Sequence, residues 1–236
     1  ADMLRALARI YERGHVVRGF KPVHWCFDCR SALAEAEIEY ADKLDPAIDV
    51  AFRFLDGAAV ARAFGLAEAL TDAQAVIWTT TPWTLPSNQA VSVHPDFDYA
   101  LVQTPRGHLV LAEGLVERCL KRFGLEGTVV ARCAGRALEG CNLAHPFYDR
   151  VSLLILGTHV SAEDGTGLVH TSPAYGVEDF QALKAYTEEV LNPVQGDGRF
   201  AADLPLWGGL KISEANPQIV AHLDAEGRLL GNFKLD

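Results

Sequence analysis

Three consecutive threonines end an apolar segment, and hydroxyl groups at a strand end are able to hold a water molecule or a substrate oxygen. The segment Ala75–Thr81 reads AVIWTTT and is typical of a strand, which Pro82 should end. Because successive strand side chains point to opposite faces, we expect Thr79 and Thr81 on one face and Thr80 on the other. A threonine-rich strand that merely enters a turn has the same pattern, so a purely structural role stays open.

A second segment, Gly165–Phe180, places a histidine and a carboxylate around a turn. Leu168–Thr171 should form a short strand that carries His170, and a helix should begin after Gly176. Asp179 then lies in the first turn of that helix, where the helix dipole favours an anion. Asp179 either caps this helix or meets a cation, and a lone histidine is commonly a partly buried structural residue. Whether Asp179 and His170 have a functional or a structural role therefore stays open at this point.

The spacing of Cys26 and Cys29 is CxxC, and His24 stands just before them. This is the spacing of half a zinc knuckle, and a complete structural site needs a second pair of ligands. Cys133 and Cys141 are too far apart to resemble that pair. We interpret Cys26 and Cys29 as a zinc half site whose partner lies outside this chain, with two ordinary buried thiols as the alternative.

Other catalytic signatures are absent from the sequence. None of the patterns GxxxxGK[ST], GxSxG, HExxH or GxGxxG occurs, and the chain order reveals no Ser-His-Asp or Cys-His pairing. The residues by themselves therefore indicate a soluble α/β domain with a pocket of hydroxyl, histidine and carboxylate groups.

The elements that must position these side chains are short strands with helices between them. Strands are predicted at Ala36–Tyr40, Val50–Leu55, Ala75–Thr81, Tyr99–Thr104, His108–Leu111, Thr128–Ala131 and Ser152–Ile155. Helices are predicted at Met3–Tyr11, Gly114–Phe123, Val177–Leu191 and Asn216–Glu226. Asn216 should cap the last helix, and Leu183, Tyr186 and Val190 should form the inward stripe of the third. The absence of a βαβ rhythm predicts a mixed α/β fold with a β-barrel-like sheet and surrounding helices.

Composition limits the class of protein. The chain has 236 residues, of which 49% are hydrophobic and 22% charged, as in an ordinary soluble domain. It has no membrane-length apolar run and no signal peptide, so we expect its five cysteines to be reduced thiols in the cytoplasm. The formal net charge of −10 argues against a free-standing nucleic-acid binder with a basic surface. The first residue is not Met, so we expect a fragment or a processed product.

Four segments resemble the editing insertion of bacterial-type isoleucyl-tRNA synthetases, in the same order along nearly the whole chain: His24–Tyr40, Val76–Val102, Asp164–Phe180 and Glu189–Phe200. Valyl- and leucyl-type editing domains have a Thr-Thr-Arg-Pro core where this chain reads TTTPWT from Thr79 to Thr84. The HIGH and KMSKS signatures of the synthetic site are absent. The resemblance therefore implies the insertion alone, with residues 1–40 as a connecting segment and residues 41–236 as the editing domain.

The resemblance implies an aminoacyl-tRNA deacylase that proofreads valine mischarged on isoleucine tRNA, with valyl-adenylate as a further substrate. Valine differs from isoleucine by one methylene, which changes the free energy of binding by only about 1–3 kcal/mol. Isoleucyl-tRNA synthetase is itself the usual example of this limit. The implied partners are the 3′ end of tRNA(Ile), the valyl ester and the remainder of the synthetase, without a membrane. No cofactor is implied for editing, and zinc would belong to the parent enzyme.

The family pattern also implies roles for individual residues. Asp179 matches the carboxylate that grips the α-ammonium group of the substrate. Thr79, Thr80 and Thr81 match the threonines that contact the valyl group and terminal adenosine and position the attacking water. His170 matches the residue that limits side-chain size. We therefore predict four catalytic residues, Thr79, Thr81, His170 and Asp179, and four substrate-binding residues, Trp78, Thr80, Thr84 and Asn88.

Two other functions stay open. One is a non-catalytic zinc-ribbon binding module built around Cys26 and Cys29. The other is an editing domain of a valyl- or leucyl-type synthetase. The chain also reads Ala174-Tyr175-Gly176 where some bacterial relatives have Gly-His-Gly, which leaves the fine contacts before the Asp179 helix open.

Overall fold

The computed structural model describes residues 2–41 and 45–235 of the chain. The helices are α1 (Asp2–Glu12), α2 (Gly57–Ala63), α3 (Val116–Phe123), α4 (Val177–Leu183) and α5 (Ile212–Ala225). The strands are β1 (Trp25–Cys26), β2 (Ser31–Ala32), β3 (Asp45–Arg53), β4 (Gln74–Thr79), β5 (Ala90–Val93), β6 (Asp98–Thr104), β7 (Gly107–Ala112), β8 (Thr128–Ala134), β9 (Asn142–Ala144), β10 (Val151–Leu156), β11 (Leu168–Thr171) and β12 (Leu229–Leu235). Short 3₁₀ segments lie at Glu35–Glu37, Pro82–Ser87, Glu113–Leu115 and Gly135–Leu138.

The main sheet curls around strand β4. The first residues of β4 pair in parallel with β7, its Trp78 pairs with β11, and β3 runs antiparallel along its whole length. Beyond β11 the sheet continues through β5, β10 and β9. A bridge between Phe54 and Leu143 then brings β9 back beside the end of β3. The predicted mixed α/β fold with a β-barrel-like sheet is confirmed.

Strand β4 is fixed by packing on both of its faces. Ala75, Val76 and Ile77 are all fully buried, although successive side chains point in opposite directions. A strand covered on both sides has a continuous apolar sequence, and AVIW has this character. Because the strand cannot shift without opening this core, the position where it ends at Thr79 is well defined.

Most of the predicted strands are confirmed, and one is wrong. The predicted strand Ala36–Tyr40 lies where the structure has a 3₁₀ turn at Glu35–Glu37. The carboxylate of Glu37 accepts a hydrogen bond from the Ala34 amide at 2.7 Å. The apolar alternation of AEIEY is therefore overridden by a local side-chain bond to the backbone.

The helix predicted at Val177–Leu191 is shorter than expected, because α4 ends at Leu183. Leu183 is buried as predicted, but Tyr186 and Val190 are 37% and 39% exposed, so the inward stripe stops after its first member. The Tyr186 hydroxyl donates to Glu139 Oε1 at 2.6 Å and accepts from the Leu156 amide at 3.2 Å. These distant contacts hold the chain in a turn where a helix was predicted.

The predicted N-cap of the last helix is also wrong. Helix α5 begins at Ile212, after Lys211, so Asn216 lies inside the helix. Its Oδ1 atom accepts a hydrogen bond from the Trp83 amide at 2.9 Å. Asn216 therefore satisfies a free amide at the start of the Pro82–Ser87 segment, which is a capping role for a different element.

All five cysteines are free thiols. Within the described part of the chain, no helix has both the length and the apolar character needed to cross a membrane. The domain boundary at residue 41 stays a prediction, since residues 42–44 lie outside the described ranges.

Candidate functional site

The end of β4 and the first turn of α4 face each other across a cavity of about 300 Å³, which we call the threonine pocket. Its lining consists of Trp78, Thr79, Thr80, Thr81, Thr84, Val169, His170, Ser172, Tyr175 and Asp179. Seven of the eight predicted site residues are therefore in the lining. The eighth, Asn88, lies behind His170 and bonds to its ring.

The three threonines all line the pocket. The hydroxyls of Thr79 and Thr81 lie together, as predicted for one face, and the opposite face of Thr80 stays a prediction. Strand β4 ends at Thr79, and the chain turns into the 3₁₀ segment that begins at Pro82. The Thr79 hydroxyl accepts from the Thr81 amide at 3.1 Å and lies 3.3 Å from the Thr81 hydroxyl. The turn therefore brings the hydroxyls of Thr79 and Thr81 together at the pocket, where they are able to hold a water or a substrate oxygen.

His170 is a neutral imidazole with both nitrogens occupied. Its Nδ1 atom accepts from Asn88 Nδ2 at 2.7 Å, which requires the proton on Nε2. Nε2 then donates to Thr84 Oγ1 at 2.9 Å, and the Thr84 hydroxyl donates onward to the Thr81 carbonyl at 2.8 Å. Burial lowers the pKa of His170 to about 3, with a smaller effect from Arg150. A ring fixed in this way forms a wall of the pocket rather than a proton carrier.

A second buried histidine supports the floor of the same region. His145 Nε2 donates to the Leu85 carbonyl at 2.9 Å, and its Nδ1 accepts from the Tyr148 amide at 3.1 Å. Burial is again the main reason that the pKa of His145 falls to about 3. His145 and His170 both stay neutral in the folded protein at physiological pH.

The two buried histidines predict a loss of stability in mild acid. The unfolded chain binds protons on histidine below about pH 6.5, whereas the folded chain does not bind them until about pH 3. The free energy of unfolding is therefore unaffected by these histidines above pH 6.5. It decreases as the pH falls toward 3, by about 2 kcal/mol per histidine at pH 5. Urea unfolding at pH 7.5 and pH 5.0 measures this loss. His170→Gln should reduce the difference between the two pH values by about 2 kcal/mol, and an unchanged difference would contradict the assignment.

Asp179 is a half-buried carboxylate with one oxygen still available. Its Oδ2 atom accepts from the Ser172 amide at 2.9 Å. No lysine or arginine pairs with it among the described residues, and no donor there reaches Oδ1. Burial raises its pKa, against the opposing effects of the Ser172 amide and the nearby His159. Gly176 leaves room for this side chain, since a Cβ there would lie 3.0 Å from Asp179 Cγ.

Residues that the sequence analysis did not single out hold the Pro82–Ser87 segment in place. Arg150 donates to the Pro86 carbonyl at 2.8 Å, and Ser172 donates from Oγ to the Ser87 carbonyl at 3.2 Å. These partners lie 64 and 85 positions away along the chain, so no local pattern announces them. Ser172 alone had a signal, because it stands two residues after His170 and shares its strand-like alternation.

Cys26 and Cys29 lie side by side, and the Cys29 amide donates to Cys26 Sγ at 3.3 Å. This bond lowers the pKa of Cys26, while the hydrogen bond to Cys26 raises that of Cys29. Within the described ranges, no group of three or more histidine, cysteine or acidic residues is arranged to hold a metal. Two thiols supply half of a tetrahedral zinc site, so these residues do not fit the ion by themselves.

The fold is the one found in synthetase editing domains. The crystal structure of the P. knowlesi cytosolic leucyl-tRNA synthetase editing domain matches with a TM-score of 0.61 at 9% identity, over 83% of this chain and 97% of that one. The corresponding P. falciparum domain matches with a TM-score of 0.58 at 9% identity, over 81% of this chain and 99% of that one. At such low identity the similarity establishes the fold alone.

The family follows from sequence comparison. A family model described as tRNA synthetases class I (I, L, M and V) matches residues 1–218. An isoleucine–tRNA ligase of Azoarcus sp. (strain BH72) is 54% identical over 100% of the chain, and one of Bordetella parapertussis is 56% identical over 98%. The chain belongs to the class I tRNA synthetase family, which confirms the predicted resemblance. It spans 26% of the length of these two relatives.

Proposed function

We propose that this domain hydrolyses valyl esters of isoleucine tRNA, and that valyl-adenylate is a further substrate of the same pocket. The observation that carries the proposal is the juxtaposition of the threonine hydroxyls and the free oxygen of Asp179 across one small cavity. The isoleucine–tRNA ligase relatives point to isoleucine tRNA as the carrier of the ester. The partners would be the 3′ end of that tRNA and the remainder of a synthetase.

Asp179 is the natural ligand for the α-ammonium group of the aminoacyl ester. A half-buried carboxylate that pairs with no lysine or arginine among the described residues is costly, and a bound ammonium group would lower that cost. A charge-assisted hydrogen bond to Oδ1 would also fix the orientation of the amino acid. The side chain of the substrate would then be directed toward the walls of the pocket.

Hydrolysis in this pocket needs positioning more than a covalent nucleophile, since an ester of the tRNA ribose is already reactive. The hydroxyls of Thr79 and Thr81 would hold the attacking water, with Thr80 toward the terminal adenosine. Hydrogen-bond donors near the carbonyl oxygen of the substrate ester would stabilise the negative charge that develops on that oxygen during attack by water. His170 cannot serve as the base while both nitrogens are bonded, so its role would be to limit side-chain size.

A panel of esters on the same tRNA tests the proposal. We expect deacylation of valyl-tRNA(Ile) well above the spontaneous rate without protein. Isoleucyl-tRNA(Ile) should react about 10–200-fold more slowly, because one methylene in a tight pocket is worth that much. Threonyl esters should react nearly as well as valyl esters, since the two side chains are almost the same size.

The outcomes of the panel separate the competing functions. Valyl-ester hydrolysis no faster than the protein-free rate would exclude the deacylase function. A preference for leucyl esters would indicate a leucyl-type editing domain instead. Zinc bound in stoichiometric amount by Cys26 and Cys29, together with no hydrolysis, would favour a zinc-ribbon binding module.

A further inference from the structure

A second and larger cavity lies beside the threonine pocket, between the N-terminal hairpin and the barrel. This space of about 700 Å³, which we call the ribbon cleft, is bounded on one side by residues 21–25 and Phe27. On the other side its lining consists of Trp83, Ala174, Tyr175, Val177, Asn192, Val194, Gln195 and Gly196. Tyr175 lines both cavities, and its ring meets Trp83 edge-on at 5.0 Å between centroids. The two cavities are therefore neighbours that share Tyr175 as a wall.

The ribbon cleft presents aromatic rings that the fold does not bury. Trp25 is 43% exposed and Phe27 is 37% exposed, although side chains of this size are usually covered. Trp25 is also held in position, since its Nε1 atom donates to the Gly196 carbonyl at 2.9 Å. The indole lies against Gly196, where a Cβ would be 3.3 Å from Cζ2. An exposed and immobilised ring is a platform on which a planar group can stack.

The charges around the cleft differ from those of the rest of the chain. The protein has 31 acidic residues and a net charge of −10, yet none of the fourteen described residues that line the cleft is acidic. Lys21 is a cationic side chain among them, and Asn192 and Gln195 add amide groups. A locally basic cleft in an acidic domain suits an anionic ligand, and amides are able to bond the edges of bases.

We propose that the ribbon cleft binds the single-stranded nucleotides that precede the terminal adenosine of the acceptor end, with one base stacked on Trp25. The inference rests on the proposed deacylase function, because that function puts the terminal adenosine at the threonine pocket. Aromatic stacking, one cation near the backbone and few phosphate contacts are the means by which single strands are bound. Binding by these means also fits a domain whose net negative charge opposes binding to the body of a tRNA.

Two substrates of different length test the proposal on this chain. The first is valyl-adenosine, and the second is the valyl ester of a CCA trinucleotide. We expect a kcat/KM about 5–150-fold higher for the trinucleotide ester, because one stacked base is worth about 1–3 kcal/mol. Trp25→Ala should reduce this ratio to near one, and Trp25→Phe, which keeps a flat ring, should retain most of it. Phe20→Ala is the matched control, since Phe20 is 83% exposed and lies outside the lining.

The outcomes distinguish this inference from the proposed function. Hydrolysis of both esters with a ratio near one in the wild type, or with a ratio that Trp25→Ala leaves unchanged, would overturn the inference and leave the deacylase function intact. If neither ester is hydrolysed, the deacylase function fails, and binding of a 5′-labelled single-stranded RNA ending in CCA decides the inference. Binding that Trp25→Ala weakens at least about fivefold supports it, and binding that is absent or unaffected rejects it.

Discussion

Asp179→Asn is expected to lower kcat/KM for valyl-tRNA(Ile) by roughly 30-fold or more, without loss of stability. The change keeps the shape of the side chain and an oxygen that accepts from the Ser172 amide, so the local fold should persist. It removes the charge that would pair with the α-ammonium group of the substrate. Loss of one charged partner from a desolvated pair costs about 2–5 kcal/mol, and 1.36 kcal/mol is tenfold in rate.

Stability provides a second readout for the same variant. Burial disfavours the charged form of Asp179, as the raised pKa records, so a neutral amide should be tolerated or slightly favoured. The melting temperature should therefore stay the same or rise while activity falls. A variant that loses both together would point to a structural carboxylate and not to a substrate contact.

Glu178→Gln is the matched control for Asp179→Asn. Glu178 is the preceding residue in the same helical turn and is exposed to solvent, so the same change in charge occurs one residue away from Asp179. Its deacylation rate should stay close to that of the wild type. Asp179→Asn with a wild-type rate, or Glu178→Gln with an equal loss, would remove Asp179 from the proposed ammonium site.

The parts of the site that sequence reasoning found are those with a local signal. The change from AVIW to three threonines and the position of Asp179 in the first turn of a helix are both short patterns, and both groups line the threonine pocket. The contacts that hold the Pro82–Ser87 segment in place have no such signal. Asn216 resembled an N-cap because an asparagine precedes a proline there, and only a partner 133 residues away, the Trp83 amide, explains its real role.

The predicted face of Thr80 stays a prediction, since a place in the lining of the threonine pocket does not fix where its hydroxyl points. Alternation applies only while the chain remains a strand, and β4 ends one residue earlier, at Thr79. The length of α4 was overestimated because the apolar spacing continues to Val190, whereas Tyr186 is held by Glu139. At α4 a contact between distant segments outweighed a local preference, which no pattern within the segment could reveal.

The largest loss of stability is expected from Arg122→Ala. Arg122 donates two hydrogen bonds to the fully buried Asp49, at 2.8 and 2.6 Å, and a third to the Gly165 carbonyl at 3.1 Å. The pair joins α3 to β3 and to the loop that packs on Trp78. Removing one partner leaves a buried charge without compensation, so the free energy of unfolding should fall by about 3–5 kcal/mol in urea titrations.

Arg118→Ala controls for the loss of an arginine from the same helix, since the Arg118–Asp164 pair is 50% and 80% exposed. That change should cost no more than about 1 kcal/mol. The decisive comparison adds Asp49→Asn to Arg122→Ala. If the unpaired charge causes the instability, the double variant should be more stable than Arg122→Ala alone, because the amide no longer carries a buried charge. A double variant that is less stable than the single one would show that packing of the guanidinium, and not the ion pair, holds α3 against the barrel.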